Sequence, residues 1–300
     1  MDTLSESNLK WFKMKKPRIS IIGLVQVGNA LLKALKKNGY EVISVFNRSE
    51  IADSQIEQYP DTDFFTGLPS QNTLIGEIII VAVSDDAIYK VSNDLAGRFK
   101  SLKGKFVAHC SGTHSSKALE VIESIGAKTA SFHPMKAITK STDSFEGTWF
   151  DIEGDGLFLK MLEKIAIDLS AKTFRVEPKA KPFLHASAVV ASNYLVVLAG
   201  LISQISEQGN VDKQTLLKAL TPLMENTLQN INELGVVNAL TGPIARGDIN
   251  TIQKHLKSLK NVPEVCSLYK TLGIEAVKIA EQKNGASQAL VEIKKLFRED

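Results

Sequence analysis

The run Ile19-Ser-Ile-Ile-Gly-Leu-Val-Gln-Val-Gly28 constrains the fold more than any other stretch of the chain. Its β-branched apolar opening predicts a buried strand. Gly23 breaks the strand, and Gly28 passes into a helical pattern that carries Leu31, Leu32, Ala34 and Leu35 with lysines between them. Asn38-Gly39 supplies the C-terminal stop, and a second strand, Glu41 to Phe46, follows at once. Strand, glycine turn, helix and strand within about thirty residues make one βαβ unit, the setting in which glycines admit the pyrophosphate of a dinucleotide. The residues expected to meet the cofactor here are Gly23, Leu24, Val25, Val27 and Gly28. The pattern G-x-G-x-x-G is broken at one point, because Val25 stands in place of the second glycine.

Beyond the second strand lies Asn47-Arg48-Ser49. An acidic side chain at this place accepts the 2′-hydroxyl of NAD, whereas an arginine accommodates the 2′-phosphate of NADP. Arg48, flanked by the neutral donors Asn47 and Ser49, makes NADP the preferred expectation over NAD. The next strand, Glu77 to Val83, is almost wholly apolar, as a strand covered on both faces should be. It ends in Ser84-Asp85-Asp86, a capping sequence for the helix that follows. Ligands of open α/β sheets lie beyond the carboxyl ends of the strands, so Val83 and Ser84 are expected to line the cofactor cleft.

Short strands and helices alternate to Glu177, which predicts a doubly wound α/β domain over residues 15–177 with extra strands near its end. Past Pro178 no strand pattern returns. Helices are expected over 182–207, 213–233, 249–260, 263–282 and 287–297, giving an all-α domain over residues 178–300. The first of them is apolar nearly all round and long enough to span a bilayer. Ser187, Ser192, Asn193 and Ser203 interrupt it, and the flanking positive charge is not asymmetric, so the expectation is a core or dimer helix and not a membrane span.

Composition narrows the function classes. With 36 basic and 33 acidic residues and a net charge of +3, the chain offers no electrostatic case for nucleic acid. The basic excess is partly local, at Lys10, Lys13, Lys15, Lys16 and Arg18 near Trp11 and Phe12, and is expected to be a solvated leader. No secretory signal pattern is evident, and two cysteines, Cys110 and Cys266, make no disulfide framework, which points to a reduced, cytoplasmic protein.

Four places carry side chains suited to chemistry. Ser111 and Gly112 follow one strand, and His133 lies at the end of the next, where a nicotinamide or its substrate would sit. His185 and Asn193 share the long helix, eight residues apart; His185 suits proton transfer near neutral pH, and Asn193 suits a hydrogen bond to a carbonyl or imine. In Thr241-Gly-Pro-Ile-Ala-Arg-Gly-Asp248, capping accounts for Thr241, Pro243, Gly247 and Asp248 but not for Arg246, whose planar fork suits a carboxylate. His109, Cys110, His114 and His133 do not make a zinc site, since neighbouring strand residues point to opposite faces, and no metal is expected. Ser111 is not in a G-x-S-x-G elbow, which argues against a serine hydrolase.

Taken together, His109-Cys-Ser-Gly112, Phe132-His-Pro134, His185 to Tyr194 and Thr241 to Asp248 resemble the bacterial Rossmann-like candidate NADP oxidoreductases that carry a C-terminal helical domain of unknown function. More distantly the chain is similar to pyrroline-5-carboxylate reductase, ketopantoate reductase and the deazaflavin-linked NADP oxidoreductases. The resemblance implies a 6-phosphogluconate-dehydrogenase-like arrangement, with an NADP-binding domain, a helical domain that builds a homodimer, and a small-molecule substrate between the two. The lysine and asparagine pair that many β-hydroxyacid dehydrogenases place on this helix is absent in that spacing. Three readings stand at this point: an NADP-dependent reductase or dehydrogenase of a small polar substrate; a non-catalytic nucleotide-binding or interaction protein on the same scaffold, for which Val25 is the main support; or a protein that takes a different nucleotide or phosphorylated metabolite at the same turn.

Overall fold

The computed structural model describes residues 16–299. Most of the basic leader, including Lys10, Lys13 and Lys15, lies outside them. Of its described cations, Arg18 pairs with Glu77 at 2.7 Å and Lys16 sits over the Tyr40 ring.

The first unit, which runs to Ser192, is built on an eight-stranded sheet of order β3-β2-β1-β4-β5-β6-β7-β8. The strands are β1 (Ile19–Ile22), β2 (Val42–Asn47), β3 (Asp63–Thr66), β4 (Ile78–Val81), β5 (Phe106–His109), β6 (Lys128–Pro134), β7 (Trp149–Gly154) and β8 (Lys172–Arg175). All neighbours are parallel except β6 and β7. The order reverses between β1 and β4, so the carboxyl ends of these two strands flank the switch-point crevice.

Side chains of the central strands alternate between two cores. Ile19, Ile21, Ile78 and Ile80 pack with Leu31, Leu32 and Leu35 of α1 (Gln26–Lys37) and with Phe158, Leu162 and Ile165 of α5 (Gly156–Asp168). Ile22, Ile79, Val81 and Val107 turn to the other face, against Ile88 and Leu95 of α3 (Asp85–Arg98) and Ile122 of α4 (Glu120–Ser124). This burial on both faces is why β1 and β4 are continuous apolar runs. Between β2 and β3 lies a single short helix, α2 (Asp53–Glu57). Neither α2 nor the edge strand β3 is evident from the sequence pattern.

The expected helix over 182–207 is divided. Helix α6 (Lys181–Ala191) ends at Ser192, and α7 (Asn193–Gln208) begins the second unit. The eight-residue spacing therefore does not place His185 and Asn193 on one helix.

The second unit contains α7, α8 (Lys213–Ala239), α9 (Gly242–Arg246), α10 (Ile249–Leu259), α11 (Pro263–Asn284) and α12 (Gln288–Leu296). Helix α8 runs past the expected end at Glu233 and breaks at Gly235, at φ +75°. The core of the second unit is Ile252, Val277, Ala280, Leu290, Ile293 and Phe297. Helices α7, α8 and α11 also line an apolar groove of about 480 Å³ that includes Leu198, Ile202, Leu228 and Leu268.

Candidate functional site

At the first turn, Gly23 has φ +97°, and a Cβ there would lie 2.6 Å from the Ala82 carbonyl oxygen of β4. At Gly28 a Cβ would come within 1.9 Å of the Gly23 carbonyl oxygen. Both glycines are demanded by close backbone approach. Val25 is different: its φ of −84° is open to any residue, and its side chain is 68% exposed. No left-handed backbone demands glycine at the second fingerprint position, although the ψ of −137° lies outside the regular extended and helical regions, and the valine side chain stands in solvent at the start of α1.

That helix start has no side-chain cap and no acidic residue in its first turn. Uncapped N–H groups and the positive end of the helix dipole form an anion site. The turn is braced from β2, where Asn47 Oδ1 accepts the Leu24 N–H at 3.2 Å and Asn47 Nδ2 donates to the Ser49 carbonyl at 2.9 Å. Arg48 is exposed beside it and has no ion-pair partner among the described residues.

Along the same sheet edge, Val83 is half-buried and Ser84 exposed at the end of β4. Ser84 occupies the N-cap of α3 but makes no capping bond. Asp85, expected to help cap α3, accepts the Thr113 hydroxyl at 2.7 Å. Burial works to raise its carboxyl, but bonds from Thr113 and Ser111 outweigh this and hold it below the ordinary value. Ser111 is buried, and its Oγ accepts the N–H groups of Thr113 and His114, each at 3.1 Å. Its hydroxyl shapes the loop that presents Gly112.

Gly112 is hemmed in by two imidazoles. A Cβ there would lie 2.5 Å from His185 Nδ1 and 2.8 Å from His133 Nε2. The rings of His133 and His185 meet at a tilt of 60°, their centroids 6.1 Å apart. His185 Nδ1 is buried and has no hydrogen-bond partner among the described residues. His133 Nδ1 lies 2.6 Å from Asp151 Oδ2, and Asp151 Oδ1 accepts from Lys181 Nζ, which also donates to Ser131 Oγ at 2.7 Å. Lys181 and Asp151 are 0% and 1% exposed. Burial tends to raise the Asp151 carboxyl, but the His133 bond and the Lys181 charge hold it below its usual range. An ionised Asp151 requires His133 to carry its proton on Nδ1, leaving Nε2 for the space over Gly112.

His109 makes a contrasting site. Burial pushes its imidazole down to about 4, so it is neutral, donating from Nε2 to the Ser115 carbonyl at 2.9 Å and accepting the Ser111 N–H on Nδ1. Among the described residues no group of three or more His, Cys, Asp or Glu side chains is gathered closely enough to hold a metal ion.

The structure therefore brings Ser111, His133 and His185 together around Gly112. Asn193 and Arg246 are exposed residues of the second unit. There Gly247 closes α9 in the left-handed region at φ +70°, and Asp248 caps α10 by accepting from Thr251. Sequence patterning does not single out Asp151 or Lys181. The available signals were a carboxylate between Phe150 and Ile152, and a lysine one helical turn before His185.

The fold and the glycine turn define a Rossmann-type protein with a helical C-terminal region. More particularly, residues 3–134 match the Rossmann-like domain and residues 148–276 match the domain of unknown function DUF2520, so the chain joins these two domains. A candidate NADP oxidoreductase from Bacteroides fragilis superposes with a TM-score of 0.71 at 24% identity, over 87% of this chain and 98% of that one. A protein from Thermotoga maritima gives 0.67 at 27% identity, over 88% and 99%. Pyrroline carboxylate reductase from Plasmodium falciparum, solved with NADP bound, gives 0.58 at 13% identity, over 95% and 99%. No curated protein matches by sequence.

Proposed function

We propose that the chain is an NADP-dependent reductase acting on the C=O or C=N group of a small polar substrate. The observation that carries this reading is the meeting of two imidazoles over Gly112, on the sheet edge that also holds the uncapped glycine turn. The solved structures named for NADP support it through their fold.

The residues present fit the dinucleotide. The N–H groups at the start of α1 suit the pyrophosphate, and the unpaired Arg48 suits the 2′-phosphate that separates NADP from NAD. Val83 and Ser84 continue the lining toward the Ser111–Gly112 loop. Bound cofactor supplies the hydride. The chain then has to present the substrate heteroatom to a proton donor, and the imidazoles of His133 and His185 are the groups placed for this. Asn193 and Arg246 remain proposed substrate contacts. A screen of carbonyl and imine compounds, following NADPH absorbance, tests the reading. Consumption that His133→Asn abolishes supports it. NADPH binding with no turnover of any compound favours the non-catalytic alternative.

We also propose that the chain forms a homodimer through the helical unit. Val196, Val197, Leu223, Leu228, Leu234 and Val236 are all more than half exposed there. Residues Pro178–Gln208 are long and apolar enough to cross a bilayer, with a mean hydropathy of 1.8 over 18 residues, but the interruption at Ser192 and the groove shared with α8 and α11 favour a protein partner. Sedimentation equilibrium should show a dimer. A monomer that floats with lipid vesicles would overturn this.

A further inference from the structure

The buried Lys181–Asp151 pair is the feature that the reading above leaves unused. Removing two charges from water costs several kcal/mol per ion, and an apolar pair of similar volume usually stabilises a core as well or better. What needs explaining is why this pair lies behind His133.

The groups facing His133 differ in what they can do. Asp151, opposite it on β7, is the one that bonds to the ring. Lys181, on α6, touches the far oxygen of that carboxylate. His185, also on α6, meets the ring without a bond to it, and no described residue bonds to its own Nδ1. Asp85 and His114 belong to the Ser111 loop network, and His109, on β5, is held neutral by burial.

Building on the reductase reading, we propose that His133 is the catalytic acid of the imidazole pair and that Asp151 and Lys181 are its positioning residues. Asp151 fixes the ring with Nε2 toward the space over Gly112, and Lys181 sets how strongly the carboxylate favours the protonated ring. In the reducing direction, His133 Nε2–H gives its proton to the substrate oxygen or nitrogen, whose π electron pair becomes the new O–H or N–H bond. A bound dihydronicotinamide would supply the hydride, whose electron pair makes the new C–H bond. His133 is left as the neutral Nδ1–H imidazole bonded to Asp151, and solvent restores the proton to Nε2. His185 serves as a hydrogen-bonding group whose Nδ1 is completed by the substrate.

Because the step consumes the Nε2 proton, kcat/KM has an alkaline limb. The two positioning residues must move that limb in opposite directions. Asp151→Asn removes the negative charge and shifts it to lower pH, and Lys181→Met removes the positive charge and shifts it to higher pH. Asp151→Asn should also lower kcat by roughly 100-fold with NADPH affinity unchanged. That variant leaves a buried lysine unpaired, so the double variant Asp151→Asn/Lys181→Met is the control for folding. It should melt near the wild-type temperature and still lack turnover.

A substrate-free measurement keeps this inference separate from the reductase reading. In long-range ¹H–¹⁵N spectra of the full chain, His133 should show the Nδ1–H tautomer, which Asp151→Asn should abolish. An Nε2–H tautomer in the wild type, limbs that move together or not at all, or wild-type turnover in the double variant would overturn the proposal. Failure to bind NADPH with the Nδ1–H tautomer present would instead remove the reductase reading and with it the acid role, leaving only the positioning of the His133 ring by Asp151 and Lys181.

Discussion

His133 and Asp151 face each other across the single antiparallel pairing of the eight-stranded sheet, with Nδ1 2.6 Å from Oδ2. Directly opposed residues of an antiparallel pair share one face of the sheet. The reversal of β7 therefore delivers a carboxylate from the strand's early residues to the end of β6, on the edge where the parallel strands present their loops. Phe132 and Ile152, one step along each strand, turn to the opposite face and enter the α1–α5 core.

Gly112→Ala tests whether the two imidazoles work in their observed positions. Its Cβ would lie 2.5 Å from His185 Nδ1 and 2.8 Å from His133 Nε2, so the rings must move while the backbone need not. A displacement near 1 Å costs on the order of 100-fold in rate. Turnover should fall by about that factor with the melting temperature nearly unchanged. Wild-type turnover would show that the rings are not used together.

The glycine turn makes two opposed predictions. Gly28→Ala places a Cβ 1.9 Å from the Gly23 carbonyl oxygen, a backbone clash that should cost about 3 kcal/mol or more and remove NADPH binding. Val25→Gly removes an exposed side chain at a negative φ, so stability should change by no more than about 1 kcal/mol and NADPH affinity should rise. Chemical denaturation and titration of both variants check this. Weaker NADPH binding in Val25→Gly would show that the valine contributes a contact.

Arg48→Ala should weaken NADPH binding by roughly 10-fold or more and leave NADH binding unaltered, the result expected when a charge-assisted contact to the 2′-phosphate is lost. Equal loss for both cofactors would remove Arg48 as the discriminating residue.

His109 gives a pH dependence. Its folded-state value of about 4 lies below the ordinary value of 6.5, so the unfolded chain binds the proton more readily between those values. Stability from this group is complete above about pH 6.5 and is lost as pH falls toward 4, a contribution on the order of 3 kcal/mol. The difference in unfolding free energy between wild type and His109→Gln, followed from pH 7 to 4, should shrink across that window. A constant difference would refute the assignment.

Much of this was legible in residue order, for physical reasons. Apolar runs at β1 and β4 announced strands covered on both faces, and Gly23 and Gly28 announced a turn that excludes side chains. Val25 looked like a defect because a motif records only which residue usually occupies a position, whereas its φ of −84° shows that no left-handed backbone demands glycine there. Strand β3 was invisible, being four residues at a sheet edge with no buried side chain. Lys181 and Asp151 were missed because charged residues ordinarily mark the surface. Their burial depends on each other and on Ser131, partners 30 and 50 residues from Lys181 in sequence. The break at Ser192 was also hidden, since the hydropathy pattern continues through it.

Isothermal titration of the full chain with NADPH and with NADH tests the proposed binding of NADP by the first unit. Saturable binding of NADPH at one site per chain is expected, tighter than that of NADH and weakened by Arg48→Ala. No detectable binding of either nucleotide to folded protein would contradict it.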